Sequence, residues 1–478
     1  MDQRSAMTKR DDFLLQLKAH HGEVCSDHVA ASYAKLTQQV LDVMDRHPGI
    51  TADQLRGELF VLSGIRDSIR QFISQRRLCS GLVIVCGTAN YQEVVVCGNQ
   101  QEVIMEEDGT VRDARIPLSE HSIFDLASVT KIFTCFTLMR LQEQGKIDLK
   151  KPVRTYDKRF RNIPDVTIEE LMSFSPTLRT SQRLEQLDQA SALEELMSIS
   201  CLREPQLRPY SDMGAMVLKH IVEEVTHLPF YSVVHREILS RFGDEEFFIS
   251  IPDYLKDRIV NNNYERKLLA DRYVCCSDVF PGKVHDPKAR VFEKEQTNLC
   301  GHAGLFSTAM GMKELSVAVL RGELLSSESL LDIGTKRIGY VNEEGKHSQY
   351  TGLLCHTKHP IAANSEVYEI LSEKAFAIGG YTGNHYMLDY ANGIFSFFAS
   401  NRCHNRVTTI SKAHDVQRNA KGDVLWPDGN NYVDATRFAW ERDDVIHKAQ
   451  NYALQLAFVE YLFDLGQKAH MTCQVRKL

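Results

Sequence analysis

Two hydrophobic rhythms divide the chain. From residue 10 to about residue 78, apolar side chains recur every three to four positions, the spacing of helices with one buried face. Over residues 31–44 they fall at Leu36, Val40, Val43 and Met44, and His47-Pro48-Gly49 breaks the run. Thr51 with Gln54 three residues on predicts a capped helix start, and Leu55, Leu59, Leu62, Ile65, Ile69, Phe72 and Ile73 continue the stripe. The rhythm then changes. Residues 82–87 and 93–98 are short β-branched runs on either side of Thr88-Ala-Asn-Tyr, which predicts a hairpin. Residues 124 to about 373 read mainly as helices and loops. Three more strand signals follow at 375–381, 385–390 and 393–400. A last helix is expected over 445–465, with Ile446, Ala449, Ala453, Leu456 and Phe463 on one face.

Strands near both ends with a helical middle predict an α+β fold. Its antiparallel sheet is formed by N- and C-terminal strands, flanked by helices, and carries an inserted, mainly helical subdomain at about 146–370. Residues 1–65 read as an N-terminal helical extension to a domain spanning 66–478. Residues 405–440 are polar and contain Lys421-Gly-Asp and Trp426-Pro-Asp-Gly-Asn-Asn, which predicts a surface loop or small hairpin. The N-terminal helices are first of all a packed arm, and also the candidate surface for a homo-oligomer or partner contact.

Composition narrows the class. The 478 residues are 43% hydrophobic and 25% charged, ordinary for a globular chain with a sizeable core. A formal charge of -7 gives no reason to expect nucleic acid as a partner. The first twelve residues lack the apolar stretch of a signal peptide, and no uncharged run approaches the ~18 residues of a membrane span. The expectation is a cytoplasmic protein without membrane contact. Its 12 cysteines form no C-x-x-C pair, so a metal site is not expected.

The chemistry starts at Ser128-Val129-Thr130-Lys131. Residues three apart share one helix face, so the Lys131 amine can reach the Ser128 hydroxyl and take its proton. A lysine serves as base near neutral pH only if its pKa is depressed. The same Ser-x-x-Lys pattern occurs at Ser32-Tyr-Ala-Lys35, so context must decide. Ser128 follows an apolar Ile123-Phe-Asp-Leu-Ala and opens a helix that Gly145 ends.

Phe124-Asp-Leu-Ala-Ser-Val-Thr-Lys131, followed by Leu141-Gln-Glu-Gln-Gly-Lys-Ile-Asp-Leu-Lys-Lys-Pro-Val153, resembles the serine β-lactamase-related family. That family holds class C β-lactamases, DD-peptidases and β-lactamase-like esterases. Pro209-Tyr210-Ser211-Asp212 resembles its Tyr-Ser-Asn element. Gly282-Lys-Val-His-Asp-Pro287 with Gly301-His302-Ala303-Gly304-Leu-Phe-Ser-Thr-Ala309 resembles a further stretch, and Gly379-Gly-Tyr381-Thr382-Gly383-Asn384 resembles the Lys-Thr-Gly or His-Thr-Gly strand. The likeness covers about residues 66 to 465. It implies Ser128 as acylated nucleophile and Lys131 and Tyr210 as proton carriers. It implies an oxyanion hole from the backbone N–H groups of Ser128 and Asn384, and substrate contacts at Asp212, His302, Tyr381, Thr382 and Gly383.

There are departures. Asp212 stands where the family has an amide, and Tyr381 where it has Lys or His. Residues 171–178, Leu-Met-Ser-Phe-Ser-Pro-Thr-Leu, replace Leu-Leu-Thr-His-Thr-Ser-Gly-Leu. Loss of the cation at Tyr381 argues toward a neutral ester or amide. The expected function is a cofactor-free serine hydrolase acting through an acyl-enzyme on a small ester, amide or peptide, esterase-like first. The alternatives are a DD-peptidase, D-aminopeptidase or β-lactamase, and, from another class, a catalytically weakened binding or scaffold protein.

Overall fold

The computed structural model describes residues 3–22, 25–203, 208–270, 272–411, 415–466 and 471–478. Helices α1 (Gln3–His21), α2 (Asp27–Arg46), α3 (Ala52–Leu62) and α4 (Ile65–Arg70) lead into strands β1 (Gly81–Gly87), β2 (Tyr91–Met105) and β3 (Val111–Pro117). Thr51 and Gln54 close the reciprocal bonds of a capping box at the start of α3. The middle of the chain contributes α5 (Thr130–Glu143), α6 (Asp212–Thr226) and α7 (Ala309–Leu320). Strands β4 (His356–Thr357), β5 (Phe376–Gly379), β6 (His385–Asp389) and β7 (Ile394–Ser400) follow, then α8 (Phe438–Leu462) and β8 (Thr472–Lys477).

These strands form one sheet in the order β4-β5-β6-β7-β1-β2-β8, with β3 also paired to β2. The two ends of the chain meet in its centre, where β1 runs antiparallel to β7 with Val83 opposite Ala399. All pairs are antiparallel except β8, which runs parallel to β2 with Thr472 opposite Tyr91. The sequence pattern does not announce β8. Its Thr-Cys-Gln-Val-Arg-Lys has little apolar alternation, and it is held by backbone pairing at the edge and by an ion pair from Arg476 to the buried Glu93.

Both faces of the sheet are covered, which is why β1 and β7 read as continuous apolar runs. One face, with Val83, Val85, Phe376, Ile378, Phe395 and Phe397, packs into the main core with α5, α6 and α7. The other, with Leu82, Ile84, Ala377 and Phe398, packs against α8 and the N-terminal helices. The N-terminal arm is therefore a layer on the sheet. Phe13 meets Phe458 at 5.0 Å between ring centroids, and Phe60 meets Tyr452 edge-on at 5.7 Å.

The polar stretch 405–440, of which residues 412–414 lie outside the described residues, is more ordered than a surface loop. Its strand Val407–Ile410 runs parallel to Glu265–Leu268, which pairs in turn with Tyr273–Cys276. Its hairpin pairs Val424–Leu425 with Asn431–Tyr432. Leu268, Val407, Val424, Trp426 and Tyr432 form a small core of their own. No helix among the described residues is long and apolar enough to cross a membrane.

Candidate active site

Ser128 sits in the 3₁₀ turn Ala127–Val129 that feeds α5. The turn is strained. Ala127 has φ 48°, a left-handed conformation that costs a non-glycine residue energy. Asp125 holds it there. One carboxylate oxygen accepts the Ala127 N–H at 2.8 Å and the other accepts the His285 N–H at 2.7 Å. Helix α5 is buried on nearly every side, so it is a rigid seat for Lys131 one turn along.

Lys131 is wholly buried. Its Nζ donates to Ser128 Oγ at 3.0 Å, Tyr210 Oη at 2.6 Å, Asp212 Oδ1 at 2.8 Å and the His302 carbonyl at 3.3 Å. The Tyr210 hydroxyl donates to Ser128 Oγ at 2.5 Å. Tyr210 and Asp212 arrive together at the start of α6, where Ser211 caps the helix through the Gly214 N–H at 3.2 Å. The Gly301–Gly304 turn passes under Lys131. Gly301 has φ 86°, and a side chain there would strike the Ala215 carbonyl at 2.5 Å.

The electrostatics depart from the requirement for a lysine base. Burial works to lower the Lys131 pKa, but the Asp212 carboxylate, with Tyr210, outweighs it and holds the ammonium above its ordinary value. Burial alone would raise Asp212; Lys131, His302 and Lys288 instead hold it far below the usual carboxylate range. Burial pushes the Tyr210 phenol up, against the pull of Lys131. The resting arrangement is a Lys131–Asp212 ion pair beside a neutral phenol.

Ser128 and Tyr210 open onto a cavity of about 670 Å³, also lined by Asp212, Glu265, Lys267, His285, Lys288, Gly379 and Tyr381. Gly380 brings β5's end against the nucleophile turn: a Cβ there would lie 2.8 Å from the Leu126 carbonyl and 3.5 Å from Ala127 Cβ. Gly380→Ala is expected to push the strand end off the turn. The expected cost is about 1–3 kcal/mol of stability with a slower acylation of Ser128. Urea unfolding and the rate of fluorophosphonate labelling check this, and wild-type values of both would disprove it.

The sequence profile of the Beta-lactamase family matches residues 87–418. The chain belongs to the β-lactamase family. Among its relatives, the Salmonella typhi protein described as "Putative D-alanyl-D-alanine carboxypeptidase" is 23% identical over 317 residues, covering 61% of this chain and 72% of that one. Class C β-lactamase from Rhodobacter sphaeroides superposes with TM-score 0.52 at 15% identity, covering 80% of this chain and 99% of its own. EstCE1, a hydrolase with promiscuous acyltransferase activity, superposes with TM-score 0.56 at 17% identity, covering 81% and 98%. At these identities the structural likeness speaks for the β-lactamase fold alone.

Within this β-lactamase-family site, Ser128, Lys131, Tyr210 and Asp212 come together and Tyr381 lines the same cavity. Thr382, Gly383, Asn384 and His302 do not line it. Thr382 and Asn384 are fully buried and both donate side-chain bonds to the Asp125 carbonyl, at 2.9 and 2.7 Å. Gly383 backs onto Ser400, Arg402 and Phe438. His302 is fully buried and bonds Asp286 at 2.8 Å; burial works to lower its pKa, but Asp286 pushes it up to about 10. The reason is register. The strand beside Ser128 is β5, ending at Gly379, whereas residues 380–384 form the turn into β6. Ser32, of the second Ser-x-x-Lys, only bonds the His28 carbonyl within α2, with Lys35 exposed.

Sequence reasoning missed Glu265, Lys267, Lys288 and His356, whose ring stacks on Tyr210 at 6.3 Å. Only His285 and Asp286 lay within a stretch already singled out. Among the described residues, two donor sets have metal-like composition, Glu265 with His285 and Cys403, and Asp212 with Asp286 and His302. In each, a lysine ammonium already sits on a carboxylate, Lys267 at 3.2 Å from Glu265 and Lys131 at 2.8 Å from Asp212.

Proposed function

We propose that the protein is a serine hydrolase working through an acyl-enzyme on an ester, amide or peptide carbonyl of a small molecule, with simple esters the readiest substrates. One observation carries the reading: Ser128 Oγ lies within 2.5 Å of the Tyr210 hydroxyl and 3.0 Å of Lys131 Nζ, at the wall of an open cavity. Once the Tyr210–Lys131 pair has lost one proton to solvent, Ser128 attacks the carbonyl carbon as its own proton enters that pair. The same pair returns a proton to the leaving group, and water then attacks the acyl-serine by the reverse path. The oxyanion is assigned to the N–H of Ser128 and to the backbone of the cavity wall at Tyr381, in place of the buried Asn384.

Intact-mass spectrometry tests this. Wild type and Ser128→Ala are mixed separately with p-nitrophenyl esters, a penicillin and a fluorophosphonate. An adduct of acyl or phosphonyl mass is expected on wild type alone. An adduct of equal yield on Ser128→Ala would remove Ser128 as the nucleophile, and no adduct from any reagent would favour the scaffold reading.

A further inference from the structure

One carboxylate of the cavity wall, that of Glu265, is shared among four donors. At one end, Lys267 and His285 share a single carboxylate oxygen, Glu265 Oε2, each at 3.2 Å. The other oxygen is taken by the hydroxyls of Tyr381 at 2.6 Å and Thr408 at 2.5 Å. At the other end, Lys131, Lys288 and His302 are served by two carboxylates, Asp212 and Asp286. Burial works to lower the His285 pKa, but Cys403 and, after it, Glu265 push it up to about 10, as Asp286 does for His302. Lys267 therefore has only a share of its carboxylate partner, and its ammonium lines the cavity. Desolvated charge of one sign in a cleft draws a ligand of the other sign.

Lys267 is placed to present its charge to the cavity. Glu265 and Lys267 are two apart on the strand Glu265–Leu268, so they share the face that lines the cavity. The Glu265 side chain is 1% exposed and that of Lys267 28% exposed, so the carboxylate lies behind and the ammonium in front. Arg266 points the other way, into the 405–440 insertion, where its guanidinium lies 3.5 Å over the Tyr432 ring and 5.2 Å from that of Trp426. The insertion thus clamps the strand that carries Lys267.

Resting on the serine-hydrolase reading, we infer that the substrate carries an anionic group, a carboxylate in its simplest form, bound by Lys267, and that the 405–440 insertion exists to position this wall.

The test compares kcat/KM for p-nitrophenyl butyrate with that for two anionic esters, p-nitrophenyl hydrogen glutarate and the butyrate of 5-hydroxy-2-nitrobenzoate. One places the carboxylate on the acyl side and the other on the leaving group. Wild type is expected to prefer one anionic ester. Lys267→Met is expected to lose that preference by about 10- to 100-fold, the range of a charge-assisted hydrogen bond, through KM. Lys267→Arg should restore most of it, and the exposed Lys146→Met should keep the wild-type ratio. A wild-type preference for the neutral ester, or a preference that survives Lys267→Met, overturns the inference. Ligand-observed NMR of glutarate on Ser128→Ala, with and without Lys267→Met, reads the anion site without turnover. Glutarate binding lost with Lys267 upholds it even if no ester acylates Ser128, and binding that is absent or indifferent to Lys267 overturns it.

Discussion

Lys131→Met is expected to cost about 10²–10⁴-fold in kcat/KM, the range for removing a positioned proton carrier, and also to destabilise the fold. The two losses have different origins. Lys131 touches Ser128, Tyr210 and Asp212 at 3.0, 2.6 and 2.8 Å, so its removal deprives the nucleophile of its route for the proton. It also strips the partly buried Asp212 carboxylate of one counter-ion, leaving it with Lys288 at 3.0 Å. Breaking a buried pair from one side costs about 3 kcal/mol. A double variant, Lys131→Met with Asp212→Asn, separates them. Removing both charges should recover most of the stability by urea unfolding while activity stays at the single variant's level. Recovery of turnover together with stability would show that Lys131 acts through the fold and not on the proton.

Much of the architecture was legible because it rests on local rules. The break at His47-Pro48-Gly49, the box at Thr51 and Gln54, and the β-branched runs at 82–87 and 393–400 each carry their own signal. The Ser128–Lys131 contact was legible because residues three apart share a helix face, whereas Tyr210 and Asp212, brought in at the start of another helix, were legible only through the family resemblance of Tyr210-Ser211-Asp212. What failed was register. Residues 375–381 read as one strand, but β5 stops at Gly379, and the turn swings Thr382 and Asn384 behind the nucleophile onto the Asp125 carbonyl. Glycines at 379, 380 and 383 carry no side chain whose polarity would reveal which one lies against Ser128. Glu265, Lys267 and Lys288 were illegible for another reason: their neighbours are far away in sequence. Charged residues in a loop-rich stretch look like surface until, for Glu265 and Lys267, the Val407–Ile410 strand pairs alongside.

Asp212→Asn, the family's own residue, is expected to raise activity near neutral pH by about tenfold or more, a tenfold gain for each pKa unit recovered on the acid limb. The reasoning follows the proton. In the resting site Asp212 keeps Lys131 charged, so the form able to accept the Ser128 proton is scarce and kcat/KM should climb with pH through the neutral range. An amide at 212 still accepts a hydrogen bond but supplies no charge. Burial then prevails at Lys131, its pKa falls, and the acid limb of kcat/KM moves to lower pH. The limb belongs to the coupled Lys131–Tyr210 pair rather than to either group. Stability shifts in the opposite sense. Asp212 is held below its unfolded value, so its contribution is present above about pH 4 and fades as pH falls through the folded value. Lys131 is held above its unfolded value, so its share is present at neutral pH and is lost only as strong alkali carries the solution through the folded value. Asp212→Asn forfeits both at pH 7, and its urea midpoint should meet that of wild type only in strong acid. A pH–rate profile of the two proteins on one p-nitrophenyl ester decides the matter. An acid limb that stays in place, with rates merely scaled, would mean that Asp212 orients the site without setting the charge of Lys131.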